Sequence, residues 1–149
     1  MKELENIDKK TIDELYDKIA TLIELAKRNV AMYINTEMTI LYWNIGKNIK
    51  ENILNFKKAE YGKSIIENLS ERLSKEYGKE YSRANLFRML KIYEYFQDFK
   101  KFSTLSRKLS WSHFIELLQI QNELKREFYT TMCASEIWSV RTLKERINS

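Results

Sequence analysis

The absence of proline is the feature that most limits how this chain can fold. The 149 residues contain no proline and only three glycines. These two residues are the principal markers of tight turns and hairpins, so their scarcity favours a few long, continuous elements. Apolar residues recur at three- and four-residue spacing, and no segment alternates as a strand does. The sequence therefore predicts an all-α, multi-helix domain without a substantial sheet.

The first third of the chain predicts one long helix or a pair of helices. Thr11 followed by Glu14 has the spacing of a capping box, which places a helix start there. The apolar pattern then continues from residue 12 to residue 53, which is long for a globular helix, so we expect a break near residues 35 and 36. Gly46 lies inside the pattern and indicates close packing of another element. We interpret this part as scaffold, with dimerisation as the alternative.

Two further helices are predicted on either side of a short connection. The second helix covers about residues 62–77, and the third runs over residues 82–99. Gly78 begins the four-residue connection and suits the backbone that ends a helix. Ser82 has the character of an N-cap, with apolar Tyr81 before it and Leu86 after it at the spacing of a hydrophobic staple.

The rest of the chain repeats this N-terminal pattern. Ser110 and Ser139 have apolar residues at the same spacing on either side, which predicts helices near 111–120 and 140–147. Another helix fits residues 122–135, and residues 100–109 read as a polar, basic connector. Without a linker rich in glycine, proline or serine, we expect a single domain over residues 1–149.

Composition excludes several classes of protein. The single cysteine, Cys133, and the single histidine, His113, exclude an intramolecular disulfide and a Cys/His zinc site. We expect Cys133 to be a small core residue and His113 to be hydrogen-bonded and partly buried. The chain has no signal peptide pattern and no apolar run of about 18 residues, so we predict a cytoplasmic protein without a membrane partner.

No catalytic constellation is evident. Metal-dependent nucleases place an Asp/Glu-x-Lys triplet on a strand beside another carboxylate, so that both carboxylates share the metal. Three such triplets occur here, but all lie in helical segments: Asp8 with Lys10, Asp98 with Lys100, and Glu123 with Lys125. A glycine-rich phosphate loop is also missing. We therefore expect no catalytic residues, no metal, no cofactor and no small-molecule substrate.

The positive charge is concentrated in the middle of the sequence. Residues 61–108 carry 11 Lys and Arg against 6 Asp and Glu, whereas the two flanking parts are balanced, and the net charge is +5. Such a segment permits an anionic partner, although a solvated basic face would have the same composition.

A helix, a glycine-containing turn and a basic second helix form the arrangement of a helix-turn-helix motif. At 100° per residue, the third helix places Arg83, Arg88 and Lys91 on one face with Phe87, opposite an apolar arc. Arginine pairs with guanine and asparagine with adenine, so Arg83, Asn85 and Arg88 are the predicted groove-reading residues. The predicted phosphate contacts are Ser82 at the helix start, Lys79, Lys91, Arg72, Arg107 and Lys108. An ordinary amphipathic surface helix is the alternative.

Five strings resemble the N-terminal domain of the bacterial YhcG family and cover roughly residues 10–149. They are Leu41-Tyr42-Trp43-Asn44-Ile45-Gly46, Ala59-Glu60-Tyr61-Gly62-Lys63, Tyr81-Ser82-Arg83-Ala84-Asn85-Leu86-Phe87-Arg88-Met89, Leu109-Ser110-Trp111-Ser112-His113 and Trp138-Ser139-Val140-Arg141-Thr142-Leu143. In that family the domain usually precedes a PD-(D/E)XK nuclease-like domain. The resemblance implies a DNA-binding front end associated with DNA cleavage, mobile elements or defence.

The chain ends where that nuclease-like domain would begin, so we expect the domain to be absent and this chain not to be an enzyme. A longer parent protein would carry the nuclease. The resulting hypothesis is a nuclease-associated DNA-binding module whose partner is double-stranded DNA. The alternative is a helical protein-interaction or dimerisation module without direct DNA contact, whose partner is a second copy of the chain or a nuclease domain.

Overall fold

The computed structural model describes the backbone of residues 2–53 and 59–149, and the side chains of residues 9–52 and 62–149. Within these ranges the chain forms helices and no strand, which confirms the predicted all-α class. The helices are α1 (Lys2–Ile53), α2 (Ala59–Tyr77), a 3₁₀ turn (Lys79–Tyr81), α3 (Arg83–Tyr95), α4 (Phe99–Ser106), α5 (Trp111–Leu117), α6 (Glu123–Glu136) and α7 (Val140–Asn148). The side chains of Asp8 and of residues 59–61, used in the sequence interpretation, lie outside the described residues.

α1 is a single helix rather than a pair. It begins at Lys2, so Thr11 is inside the helix and is not its N-cap, and it continues through residues 35 and 36, where a break was predicted. Both predictions were wrong for the same reason. Lys, Glu and Leu before Thr11 are good helix formers, and the low helix propensity of Asn35 and Thr36 costs only a few tenths of a kcal/mol each. Among the described helices, none is long and apolar enough to cross a membrane.

Contacts divide the chain into residues 1–34 and residues 35–149. The first unit is the N-terminal part of α1, and its side chains from residue 9 onward are almost all exposed. The second unit contains the rest of α1 and all later helices, and it holds the buried residues. The expectation of one domain over residues 1–149 stays a prediction.

Trp43 anchors the larger hydrophobic cluster of the second unit. Its ring is 3% exposed and lies 5.1 Å from the ring of Phe99 and 6.1 Å from that of Phe102, measured between centroids. Its indole N–H donates to the carbonyl of Phe96 at 2.6 Å, which satisfies the polar atom of an otherwise apolar side chain. The cluster extends through Phe114 and Leu143, and so joins α1 and α3 to the C-terminal helices.

Gly46 has no side chain, which allows the backbone of α1 to lie directly against the backbone of α3. A Cβ atom at Gly46 would lie 2.0 Å from the carbonyl oxygen of Met89 and 2.6 Å from its carbonyl carbon. The predicted close approach at this glycine is therefore confirmed. One turn later, Lys50 bonds Glu94 at 3.0 Å across the same pair of helices.

The predicted serine N-caps are confirmed. Ser82, Ser110 and Ser139 each accept a hydrogen bond from the backbone N–H three residues ahead, which satisfies one of the unpaired donors at a helix start. The flanking apolar residues of each cap lie in a common hydrophobic cluster, as the staple pattern requires.

The segment between the third and fifth helices differs from the prediction. α3 ends at Tyr95 rather than Phe99, and residues 100–109 are not a connector, because α4 occupies Phe99–Ser106. Asp98 caps α4 by accepting from the N–H of Lys101. Phe102 and Ser106, one turn apart, are fully buried and give this short basic helix a core-facing side.

Candidate nucleic-acid interface

The connection between α2 and α3 is held by its own backbone and by two serines of α2. Gly78 has φ +108, a conformation that favours glycine, and its N–H donates to the carbonyl of Ser74 at 3.0 Å. The hydroxyls of Ser70 and Ser74 both donate to the carbonyl of Tyr81, at 3.0 and 3.1 Å. These contacts determine where α3 begins relative to α2.

The inner face of α3 is buried. Leu86, Met89 and Ile92 are at most 1% exposed, and the first two pack in one cluster with Ile66 of α2. Because this face is anchored, the rotation of the helix about its axis is determined, and so is the set of side chains that it presents outward.

The outer face of α3 is basic. Arg83, Phe87 and Arg88 are exposed, and the guanidinium carbon of Arg83 lies 5.7 Å from the centre of the Phe87 ring. Lys91 is half-buried, and its ammonium lies 5.3 Å from the centre of the Tyr95 ring. The predicted solvent face of α3, including the exposed phenylalanine, is therefore confirmed as a geometrical arrangement.

Arg83 has an acidic neighbour that the sequence interpretation missed. Its Nη2 lies 3.5 Å from Oε1 of Glu67 on α2, and both side chains are about half exposed. Nothing local in the sequence indicates this ion pair, because it depends on how two helices pack. The carboxylate of Glu67 is therefore already paired with the guanidinium of Arg83.

Asn85 and Arg88, two predicted groove-reading residues, bond each other. Nη1 of Arg88 donates to Oδ1 of Asn85 at 2.8 Å, one helical turn away. The amide oxygen of Asn85 therefore accepts from Arg88, whereas its amide NH₂ and the remaining guanidinium N–H groups of Arg88 keep the capacity to donate to another acceptor. The pair holds the arginine along the outer face of α3.

Ser82 and Lys79 lie at the start of α3. The hydroxyl of Ser82 accepts from the N–H of Asn85 at 3.3 Å, so its oxygen serves as the helix cap. Lys79 is exposed in the 3₁₀ turn immediately before it. A cation and the positive end of a helix thus lie next to each other in the chain, an arrangement suited to an anion.

The structure groups six of the nine predicted residues on one segment and leaves three elsewhere. The six follow each other along the turn and α3: Lys79, Ser82, Arg83, Asn85, Arg88 and Lys91. Arg72 is exposed on α2, and Arg107 and Lys108 are exposed directly after α4.

His113 and Cys133 take part in hydrogen bonding and core packing. Nδ1 of His113 accepts from the N–H of Ser110 at 3.0 Å, so Nε2 carries the hydrogen and donates to the carbonyl of Trp138 at 2.8 Å. Cys133 is fully buried, and burial raises the pKa of its thiol to about 11. Across the described side chains, no three His, Cys, Asp or Glu residues are grouped so that they could hold a metal ion.

Comparison with known proteins agrees with the sequence resemblance. The profile of the DUF1016 N-terminal domain matches residues 18–149. The chain is 27% identical to the Escherichia coli (strain K12) protein named "Putative nuclease YhcG", in a match that covers 90% of this chain and 44% of that protein. The chain thus spans less than half the length of this relative. No solved structure matches the chain.

Proposed function

The chain belongs to the DUF1016 N-terminal domain family, and from that premise we propose that it is the duplex-DNA-binding part of a nuclease-associated protein. The observation that carries the proposal is the outer face of α3, where two exposed arginines and a lysine lie opposite a fully buried inner face. A helix anchored in this way and preceded by a short turn supports the proposal of a recognition helix for the major groove.

Each residue of the segment has a proposed contact. Arg83 and Arg88 read guanine edges and Asn85 reads adenine, because these side chains match the hydrogen-bond patterns of those bases. Lys79, Lys91 and the backbone at Ser82 contact phosphates, which position the helix without reading sequence. Arg72, Arg107 and Lys108 are proposed as additional phosphate contacts beyond α3.

The test is binding of the chain to a fluorescent duplex across a salt series. We expect affinity to fall steeply with salt, since each neutralised phosphate adds about 0.9 to the slope of log affinity against log salt. Arg83→Ala/Arg88→Ala/Lys91→Ala is expected to bind at least about 100-fold more weakly, because each base or phosphate contact contributes roughly 1 kcal/mol or more.

The matched control is Lys125→Ala/Arg141→Ala/Lys144→Ala, which removes the same charge from exposed positions of α6 and α7. It should retain most of the affinity. Equal losses of affinity in both triple variants would mean that binding depends only on net charge, and would contradict the assignment of α3 as the recognition helix. An absence of binding at low salt would reject DNA as the partner.

DNA cleavage belongs, in this proposal, to a longer protein that contains the chain. The relative's printed name includes a nuclease, and this chain covers 44% of that relative's length. We therefore assign recognition to the helices described above and cleavage to residues outside this chain.

The second candidate is a protein-interaction or dimerisation module. The exposed apolar side chains of residues 9–34 favour it. If this candidate alone were correct, the chain would self-associate or bind protein while having no salt-sensitive affinity for duplex DNA.

A further inference from the structure

One face of α1 between residues 12 and 34 is apolar and exposed. At 100° per residue, its side chains fall within about 80° of Ile12 over a length of about 33 Å. This apolar stripe consists of Ile12, Leu15, Tyr16, Ile19, Leu22, Ile23, Ala26, Val30, Tyr33 and Ile34. Its large hydrophobic side chains are between 49% and 71% exposed. A continuous stripe of this length on an exposed helix indicates a surface that another helix covers.

The second half of the apolar stripe contains a shallow hollow. It is lined by Ile23, Ala26, Lys27, Val30, Ala31 and Ile34. Residues at i, i+3, i+4 and i+7 form the hole that receives a side chain in knobs-into-holes packing, and two alanines leave room for the incoming knob. The hollow therefore fits a side chain from a second helix.

We propose that the apolar stripe pairs with the same stripe of a second copy of the chain, in antiparallel orientation. The charges along one edge of the stripe favour this occupant. Asp13 and Asp17 lie near the beginning of that edge, and Lys27 and Arg28 lie near its end. Between them, Glu24 is 3.9 Å from Lys27 of its own helix.

Antiparallel helices bring identical edges together in opposite directions. With Ile23 of the two copies opposite each other, Asp17 of each copy lies at the height of Lys27 and Arg28 of the other. The same alignment places Tyr16 against Val30 and Ile12 against Ile34. The edge is therefore complementary to itself, which is what a two-fold interface requires.

The area is sufficient for a stable pair. Each copy contributes nine large hydrophobic side chains that are about half exposed or more. Covering them on both copies removes on the order of 1,500 Å² from water, within the range of specific protein interfaces. This inference goes beyond DNA binding and does not depend on it, since the residues are different and the measurements below contain no DNA.

The first experiment is the mass of the 149-residue chain in solution, by analytical ultracentrifugation over a concentration series. We expect a monomer–dimer equilibrium for the unchanged chain and a monomer for Ile23→Glu. Leu25→Glu is the matched control, because Leu25 is 50% exposed and Ile23 49%, yet Leu25 lies on the opposite side of the helix. Circular dichroism of both variants checks that helix content is retained.

The second experiment determines orientation by cross-linking under oxidising conditions. Tyr16→Cys and Val30→Cys are made separately in a Cys133→Ala background. In an antiparallel pair, neither variant cross-links to itself, whereas their mixture forms a disulfide, because only unlike positions are adjacent.

If the chain is a monomer at all concentrations, the proposal is overturned, and a different protein becomes the candidate that covers the apolar stripe. A dimer that survives Ile23→Glu, or that Leu25→Glu disrupts equally, overturns the assignment of the surface. Cross-linking of each single variant to itself overturns the antiparallel orientation.

Discussion

Glu67 is expected to weaken the DNA binding that we propose for α3. Its Oε1 lies 3.5 Å from Nη2 of Arg83 on α3. Glu67→Gln removes a negative charge that would repel phosphates, and it also frees the guanidinium of Arg83. We expect the affinity for duplex DNA to rise about two- to five-fold at low salt, with the gain vanishing at high salt, where exposed charges are screened.

Glu127→Gln, which removes an exposed carboxylate from α6, is the control for net charge. If the affinity rose equally in both variants, the effect would come from overall charge and not from the ion pair. If Glu67→Gln left the affinity unchanged while loss of the α3 cations abolished binding, the ion pair with Glu67 would not weaken the contact of Arg83 with DNA.

Cys133 gives the chain a defined response to alkaline pH. Burial raises the pKa of the folded thiol to about 11, from 9.0 for an accessible thiol. Below pH 9 both folded and unfolded chains keep the thiol protonated, so its contribution to stability is constant. Between pH 9 and 11 the unfolded chain ionises first, and the free energy of unfolding falls by at most about 1.4 kcal/mol per pH unit from this group.

Urea unfolding at several pH values between 8 and 11 measures that fall. Cys133→Ala should unfold more easily at every pH because it loses packing, but its stability should decline less steeply above pH 9. Parallel curves for the two proteins would show that the thiol ionises as easily in the fold as out of it.

Residue roles were predictable from sequence where they depend on neighbours along the chain. The caps at Ser82, Ser110 and Ser139 and the glycine at the end of α2 depend on residues within a few positions. The bond between Asn85 and Arg88 and the ion pair of Arg83 with Glu67 were not predicted. The ion pair depends on how α2 and α3 are placed relative to each other, which no local sequence pattern indicates.

At the scale of elements, the crossing of α1 and α3 depends on one position. A methyl group at Gly46 would overlap the backbone of Met89, which cannot move as a side chain could. In an unconstrained helix, Gly→Ala stabilises by up to about 1 kcal/mol. Here we expect Gly46→Ala to destabilise the fold by about 3 kcal/mol, because overpacking against backbone separates the helices.

Urea unfolding followed by circular dichroism checks the sign. Asn48→Ala, an exposed change on the same helix, should alter stability by no more than about 0.5 kcal/mol. Unchanged or increased stability of Gly46→Ala would mean that α1 and α3 can separate at no cost.

The elements themselves were predicted with uneven success. The starts of the helices at capped serines were placed correctly, because capping and apolar spacing agree there. α4 was missed because its lysines, serines and threonine are typical of a loop. Phe102 alone did not indicate that the segment has a buried face. The N-terminal limit of α1 was missed because a capping pattern inside a good helix-forming segment does not start a helix.

At the scale of the whole molecule, recognition and cleavage are expected to be separable. If recognition and cleavage are divided as proposed, the chain should bind a labelled plasmid or duplex in the presence of Mg²⁺ or Mn²⁺ without cutting it, because cleavage is assigned to residues outside this chain. Gel analysis after prolonged incubation measures this, with a longer family member as the positive control. Metal-dependent products that increase with the concentration of the chain, and that disappear on chelation, would contradict it.

Family and fold class could be predicted from the sequence because they depend on order and spacing over most of the chain. A self-association surface could be suspected from the apolar spacing of α1, but its occupant could not. Which stripe of a helix is buried, and which remains exposed, depends on packing that only the structure gives.

The positions of the tryptophans determine what optical spectroscopy can report. All three, Trp43, Trp111 and Trp138, belong to residues 35–149, so emission excited selectively from tryptophan does not report on residues 1–34. Far-ultraviolet circular dichroism, in contrast, receives signal from every turn of α1. A titration followed by both signals therefore separates fraying of the N-terminal helix from loss of the aromatic cluster, without a label on either part.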